Sequence, residues 1–213
     1  MSNNQLKANP FYIFTPECGV AWSHLVKPDT AFNKAPEWSV TLLLDPDSSE
    51  TARVFEEFEV GLNAWKSQLK AAFPDTTFKM GEHSRYNHTE FEGEKVFEIK
   101  CRKPVEAGQG AKRFANTPPI LLDKYGTPIP AEEKDKFIGL GRGTKVQAKL
   151  RVQGYNHSTY GVGLTVQPEA IVIMNFVPYE KTTDLSGFKF QSKSETQDLT
   201  PSNVENSFGG STF

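Results

Sequence analysis

The chain has 213 residues, of which 37% are hydrophobic and 23% charged, and its 24 basic and 26 acidic residues leave a formal net charge of −2. This composition excludes a wholly disordered chain and a collagen-like or coiled-coil fibre, and the length is sufficient for one globular domain with a terminal extension. Apolar runs fall short of the roughly 18 residues of a membrane span, and residues 1–10 lack the apolar core of a signal peptide. We therefore expect a cytoplasmic protein with no membrane partner.

The charges are unevenly distributed along the chain. Residues 45–94 contain 5 basic and 11 acidic side chains, whereas residues 95–151 contain 13 basic and 6 acidic ones. The second segment is therefore the candidate for contact with a polyanion, while the first would repel one.

The first half of the chain predicts two strands followed by one long helix. Residues 20–28 and 38–44 have strand patterns, the second with apolar side chains at every other position. Apolar residues then recur every three or four positions from Val54, which predicts an amphipathic helix capped by Asp47 and stopped by Pro74. The aromatic residues expected in the core from these patterns and the next strand are Trp38, Phe55, Phe58, Trp65 and Phe97.

Two later strands carry basic residues on the side opposite their apolar positions. Residues 96–103 and 146–152 alternate apolar and polar side chains, and Tyr155 continues the polar parity of the second strand. Between them, residues 106–116 predict a mobile loop, residues 120–123 a short strand, and residues 161–174 follow as one or two further strands. The outward residues of the two basic strands are Lys100 and Arg102, then Lys145, Lys149, Arg151 and Tyr155.

These elements predict a mainly β protein. Five or more strands with one inserted helix are typical of a Greek-key barrel of the OB-fold type, which we assign to residues 1–180. From residue 181 to 213, Ser, Thr, Gln, Asn and Gly dominate, which predicts a disordered tail. The last 20 residues include three acidic and no basic side chains, and the chain ends in Phe213. The two cysteines, Cys18 and Cys101, are expected to be buried free thiols because no secretory signal accompanies them.

A groove for single-stranded nucleic acid needs cations for the phosphates and aromatic faces on which bases stack. The sequence supplies both in its basic segment. Any sheet exposes some Lys and Arg for solubility, but two basic rows in one segment weaken that interpretation. For Trp22 and Tyr86 the pattern leaves burial and exposure equally open. The predicted nucleic-acid-binding residues are Lys100, Arg102, Lys112, Arg113, Phe114, Lys145, Lys149, Arg151 and Tyr155.

Catalytic motifs give no comparable signal. His83 and His88 are five residues apart without a nearby Cys, which is a weak metal pattern. The glycine-rich residues 139–145 lack the spacing of a phosphate-binding loop and precede a strand, whereas such a loop precedes a helix. We therefore expect no enzymatic activity, no cofactor and no metal.

Several segments follow one another in an order that carries a family resemblance across residues 20–177. They are Val26-Lys27-Pro28-Asp29, the strand at 38–46, the inserted helix, Lys100-Cys101, Leu121-Leu122-Asp123 with its turn at Gly126, and the glycine- and lysine-rich region 141–166. In this order the chain resembles the small phage-encoded single-stranded DNA-binding proteins, which have one OB fold and a C-terminal tail.

The resemblance implies non-sequence-specific binding of single-stranded DNA during phage replication, recombination and strand annealing, in the cytoplasm of the bacterial host and without catalysis. It also implies that Lys100, Lys112, Lys149 and Tyr155 line the DNA groove. The tail, through its terminal Phe213, would contact a replicative polymerase or helicase. Its three acidic residues make it weakly anionic, which argues against strong self-inhibition by the tail.

Two other functions fit the same residues. A single-stranded RNA binder would use the same groove, because every base has a face that stacks. A β-barrel protein-interaction module would instead present the basic strip to an acidic protein. The sequence leaves the oligomeric state open, a homodimer included.

Overall fold

The computed structural model describes residues 6, 8–31, 35–79, 81, 85–108 and 110–179. All of them lie in the first of the two units into which the chain divides, Met1–Glu180. The predicted tail with Phe213, and also His83, lie outside the described residues. None of the helices within the described residues combines the length and the hydropathy that a membrane-spanning segment requires.

The described residues form ten strands and one long helix, α1 (Ser49–Ala72). The helix follows the strand at residues 37–44, as the sequence predicts, but this is the third strand and not the second, because residues 11–14 form a strand that the sequence analysis did not predict. Residues 161–174 belong to one strand rather than two. The strands are β1 (Phe11–Phe14), β2 (Cys18–Asp29), β3 (Glu37–Leu44), β4 (Tyr86–Phe91), β5 (Glu94–Pro104), β6 (Glu106–Ala107), β7 (Phe114–Ala115), β8 (Ile120–Leu122), β9 (Lys145–His157) and β10 (Gly161–Asn175).

The main sheet curls into a barrel. Its strand order is β4-β5-β3-β2-β9-β10-β8, and β1 pairs with β9. Strands β5 and β10 pack against each other, and Lys103 of β5 forms an ion pair of 3.4 Å with Glu169 of β10. Five long strands, β2, β3, β5, β9 and β10, thus enclose one core, which confirms the prediction of an OB-like barrel with one inserted helix.

The barrel interior is filled by the alternating apolar residues of these strands. Phe97, Ile99 and Leu150 have no exposed surface. Both cysteines are free and buried, as predicted. Burial raises the pKa of Cys18 to about 12, so this thiol stays protonated at neutral pH and is a packing residue.

Helix α1 packs on the barrel through its apolar stripe, with two departures from the sequence prediction. The N-cap is Ser48 and not Asp47, because the Ser48 hydroxyl accepts a hydrogen bond of 3.2 Å from the backbone N–H of Glu50. Phe55 was expected in the core, but it lies at the edge of the stripe with 37% of its surface exposed. Its ring packs nearly perpendicular to that of Phe97, with 5.8 Å between the ring centroids. The other four predicted core aromatics are buried: Trp38, Phe58, Trp65 and Phe97.

Trp65 fixes the helix onto β9. Its indole is 2% exposed and lies over Gly154. A Cβ at position 154 would be 2.4 Å from the indole Cγ, so only glycine permits this approach. The indole Nε1–H also donates a hydrogen bond of 3.0 Å to the carbonyl oxygen of Tyr155. One turn earlier on the same face of the helix, Gly61 is in contact with the ring of Phe11 in β1.

We expect Gly154→Ala to lower the free energy of unfolding by about 1 to 3 kcal/mol, because the added methyl group displaces Trp65 and strains its hydrogen bond. Chemical denaturation followed by circular dichroism measures the loss. The control is Gly19→Ala in β2, where the new Cβ would be 3.6 Å from its nearest neighbour, an ordinary contact. Equal stability of the two variants would contradict the role assigned to the Trp65 contact.

Candidate nucleic-acid interface

The barrel divides the predicted basic residues between two outer surfaces. Strand β5 is separated from β9 by β3 and β2 on one side and by β10 on the other. Neighbouring strands of a five-stranded barrel are related by a rotation of about 72° around the barrel axis. Since β5 and β9 are two strands apart through β10, their outward side chains point roughly 140° apart. We call the outside of β2, β3 and β5 with the hairpin β6–β7 the β5 surface, and the outside of β1, β9 and β10 the β9 surface. The nine predicted residues therefore do not form one groove wall.

The β5 surface carries two cross-strand rows of outward side chains. Trp22 lies opposite Thr41, which in turn lies opposite Lys100. The next row joins His24, Ser39 and Arg102 in the same way. Side chains at paired positions project from the same face of a sheet. Trp22 is 65% exposed, so an open aromatic ring and two cations share this surface.

Both β5 cations already have carboxylate partners. Lys100 Nζ is 2.8 Å from Glu98, and Arg102 Nη1 is 3.1 Å from Glu37. Exposed ion pairs of this kind contribute little in water, so a phosphate can replace the carboxylate. The positive potential of this surface is nevertheless smaller than its basic residues alone would produce.

The hairpin extends the β5 surface beyond Arg102. Residues 106–116 were predicted to be a mobile loop, but Glu106–Ala107 pairs with Phe114–Ala115 and a single 3₁₀ turn joins the two. The hairpin is tied to the barrel because the backbone N–H of Val105 donates to the carbonyl of Pro36 at 2.8 Å. Phe114 is 56% exposed. Its neighbour Arg113 pairs with a hairpin carboxylate, and Lys112 is exposed.

The β9 surface combines cations with aromatic rings at contact distance. In the register between the strands, Tyr12 lies opposite Arg151 and Phe14 opposite Lys149. Tyr12 is 48% exposed and Phe14 58% exposed. Lys149 Nζ lies 4.6 Å from the centroid of the Tyr12 ring and 5.8 Å from that of Phe14.

The β9 cations differ from those of β5 in their partners. Among the described residues, neither Lys149 nor Arg151 forms an ion pair. Arg151 donates instead to the neutral side-chain oxygen of Gln167 at 3.2 Å. Lys145, which is exposed at the start of β9, continues the row about 13 Å from Lys149. The full positive charge of this row is therefore available to an anion.

Tyr155 lies on the predicted side of β9, but most of its surface is buried. It is opposite Gly163 of β10, and a Cβ at Gly163 would be 2.6 Å from the tyrosine Oη. The hydroxyl end of the ring therefore lies against the backbone of Gly163, which leaves less of the ring for stacking than the sequence pattern suggests.

Sequence reasoning missed Tyr12 and Phe14. Residues 11–14 are four apolar residues in a row, which show no alternation and so do not reveal that Ile13 is fully buried while its neighbours are open. A run of aromatic and β-branched residues directly after Pro10 is the signal that would have indicated a short strand. The sequence pattern left the burial of two further aromatic residues undecided: in the structure Trp22 is exposed and Tyr86 is buried.

Comparison with known proteins shows which fold this is. No protein-family model and no curated protein sequence matches the chain. Among solved structures, gp2.5, a single-stranded DNA-binding protein encoded by bacteriophage T7, superposes with a TM-score of 0.62 at 13% identity, over 89% of this chain and 100% of that one. The single-stranded DNA-binding protein from bacteriophage Enc34 superposes with a TM-score of 0.57 at 17% identity, over 83% and 88% of the two chains.

The Enc34 protein has also been solved in complex with single-stranded DNA. That structure superposes with a TM-score of 0.58 at 15% identity, covering 84% of this chain and 100% of the other. The superpositions establish a common architecture, and at identities this low they establish the fold alone. The protein therefore has the fold of these phage-encoded single-stranded DNA-binding proteins.

Proposed function

We propose that the protein binds single-stranded DNA without sequence specificity and catalyses no reaction. The observation that carries the proposal is the β9 surface, where Lys149 lies over the exposed ring of Tyr12 and no described carboxylate neutralises Lys149 or Arg151. Open cations beside open aromatic faces are the two components of a single-strand site. The shared fold supports the proposal, because one protein with this fold is seen with single-stranded DNA bound.

The β5 surface contributes a second set of contacts in this proposal. If the five long strands of the barrel are counted from β2, then β3 is the second and β5 is the third. The outer face of the second and third strands is the usual oligonucleotide site of OB folds. Trp22 and Phe114 offer stacking faces there, and Lys100, Arg102 and Lys112 offer charge. The strand would thus follow the outside of the barrel rather than one straight groove.

The biological setting that we propose is phage DNA replication and recombination, including strand annealing, in the cytoplasm of the bacterial host. The proteins that share the fold are encoded by phages, which supports this setting. A replicative polymerase or helicase is the proposed partner of the tail that ends in Phe213.

One titration series separates DNA binding from the two alternatives. Oligo-dT, oligo-rU and an acidic polypeptide are each titrated at the same salt concentration and followed by fluorescence. We expect the tightest binding to oligo-dT. Tighter binding to oligo-rU would indicate an RNA-binding protein, and tighter binding to the polypeptide would indicate a protein-interaction module.

We expect the affinity for oligo-dT to fall linearly with salt on logarithmic axes. Each phosphate contact contributes a slope of about −0.7 for single strands, so three to five contacts give roughly −2 to −3.5. Lys149→Gln should make the slope shallower by about 0.7, whereas Lys70→Gln, at an exposed helix position away from both surfaces, should leave it unchanged. A flat salt dependence of the unmodified protein would rule out electrostatic capture.

Tyr155→Ala should weaken binding of oligo-dT by about 1 to 3 kcal/mol, because one stacking face is lost. Tyr155→Phe should bind nearly as tightly as the unmodified protein, since the ring is retained. Tyr125→Ala removes a tyrosine that is 81% exposed in a turn outside both surfaces and serves as the control. The stacking role is refuted if Tyr155→Ala is folded, as judged by circular dichroism, and binds like this control.

Removing residues 194–213 should raise DNA affinity less than tenfold. The segment carries only three acidic residues, and exposed charges at physiological salt contribute on the order of 1 kcal/mol in total. The same deletion should abolish capture of the replicative polymerase or helicase of the phage, and Phe213→Ala should reproduce most of that loss. Fluorescence titration and pull-down measure the two effects. A gain well above tenfold, or undiminished capture, would contradict the respective half of this prediction.

A further inference from the structure

An apolar groove of about 540 Å³ runs between β1 and α1, directly beside the β9 surface. Its walls include the rings of Tyr12 and Phe14 on the strand side and Val60 and Ala64 on the helix side. Val60 is 61% exposed, although it lines the groove together with four aromatic side chains. A volume of this size lies within the range of about 300 to 1,000 Å³ that is typical of small-molecule sites.

The groove shares its aromatic wall with the basic row of β9. Tyr12 and Phe14 line the groove, and the same two rings lie within 4.6 and 5.8 Å of Lys149 Nζ. A nucleic-acid strand whose phosphates contact Lys149 and Arg151 therefore brings its bases to the mouth of the groove. Cations along one border of an apolar, aromatic groove match the two parts of a nucleotide, because the cations suit its phosphate and the aromatic rings suit its base.

The opposite border of the groove carries two carboxylates, Glu56 and Glu57, and the guanidinium group of Arg53. Glu56 is exposed on α1 and lines the groove without an ion pair among the described residues. Its neighbour Glu57 is engaged by Arg53, which also donates a hydrogen bond of 3.0 Å to the carbonyl oxygen of Phe14 and so ties β1 to the helix. The Glu56 carboxylate is therefore a free, charged hydrogen-bond acceptor on this side.

We propose that the groove is a nucleobase site, which takes an unstacked base from the strand bound along β9. The ring of the base lies against Tyr12 and Phe14, its phosphate stays at Lys149, and Glu56 accepts a hydrogen bond from the exocyclic amino group. Cytosine and adenine carry such an amino group and thymine does not. The site therefore favours amino-bearing bases, and this inference rests on the proposed binding of single-stranded DNA.

The first test fills the groove. Ala64→Phe places a ring in it, and Ala71→Phe makes the same change at an exposed position of the same helix outside the groove. Oligo-dC and oligo-dT are titrated at fixed salt by fluorescence anisotropy. We expect Ala64→Phe to weaken oligo-dC binding at least about fivefold with an unchanged salt slope, because a stacked base is lost while the phosphate contacts remain. Ala71→Phe should bind like the unmodified protein.

The second test concerns base preference. The unmodified protein should bind oligo-dC more tightly than oligo-dT, and Glu56→Met should remove that difference. Glu90→Met, which removes an exposed carboxylate from β4, should preserve it. Photo-crosslinking of a halogenated-cytosine oligonucleotide to Tyr12 or Phe14, mapped by mass spectrometry, probes the site in the unmodified protein and needs no variant to fold.

The outcomes distinguish this inference from the proposed function. If the unmodified protein binds oligonucleotides with the expected salt slope, but Ala64→Phe binds like Ala71→Phe and no crosslink reaches the two rings, the nucleobase site is refuted and DNA binding stands. Oligo-dT bound as tightly as oligo-dC would overturn the role of Glu56. Absence of any salt-dependent oligonucleotide binding would overturn the proposed function itself.

Discussion

The contact between the Trp65 indole and Gly154 determines the geometry around the β9 surface. A side chain at position 154 would hold the helix away from the barrel, because its Cβ would overlap the indole. The hydrogen bond from the indole to the carbonyl of Tyr155 then fixes the backbone of the residue whose ring lies against Gly163. With α1 in this position, Gly61 meets Phe11, and β1 is held between the helix and β9. The groove and its aromatic wall are consequences of this one close approach.

Strand β1 has two roles because its side chains alternate. Ile13 is fully buried in the barrel core, while Tyr12 and Phe14 leave about half of their surfaces in solvent. Exposed aromatic surface that is contiguous with an apolar groove is uncommon on a protein without a ligand there. The ammonium group of Lys149 over these rings contributes about 0.5 to 1 kcal/mol at an exposed site, which offsets only part of the unfavourable exposure. The free protein thus retains apolar surface that a stacking base would cover.

Alternation along the strands was enough to predict which residues face outward. Lys100, Arg102, Lys149 and Arg151 all lie on the outer side of their strands, and the long helix begins within two residues of its predicted cap. The pattern could not show that β5 and β9 are separated in the barrel, because strand order depends on pairing between distant segments. Phe55 was misplaced because the stripe of a long helix is wider than the surface that it meets. The carboxylate that neutralises Arg102 is likewise set by strand pairing, because Glu37 belongs to β3, whereas Glu98 lies two positions before Lys100 in β5 and its contact depends on the rotamers of the two side chains.

In the proposed binding of single-stranded DNA, the difference in ion pairing gives the two surfaces unequal roles. On the β5 surface a phosphate has to replace Glu98 or Glu37, so the gain is the difference between two interactions of a cation with an oxygen anion. On the β9 surface the phosphate meets Lys149 without a described competitor, and counterions alone are released. Long-range attraction also follows net rather than gross charge, which favours first contact at β9. In this proposal the aromatic rings beside Lys149 would then stack the bases that arrive with those phosphates, whereas Trp22 of the β5 surface would engage a strand that is already held.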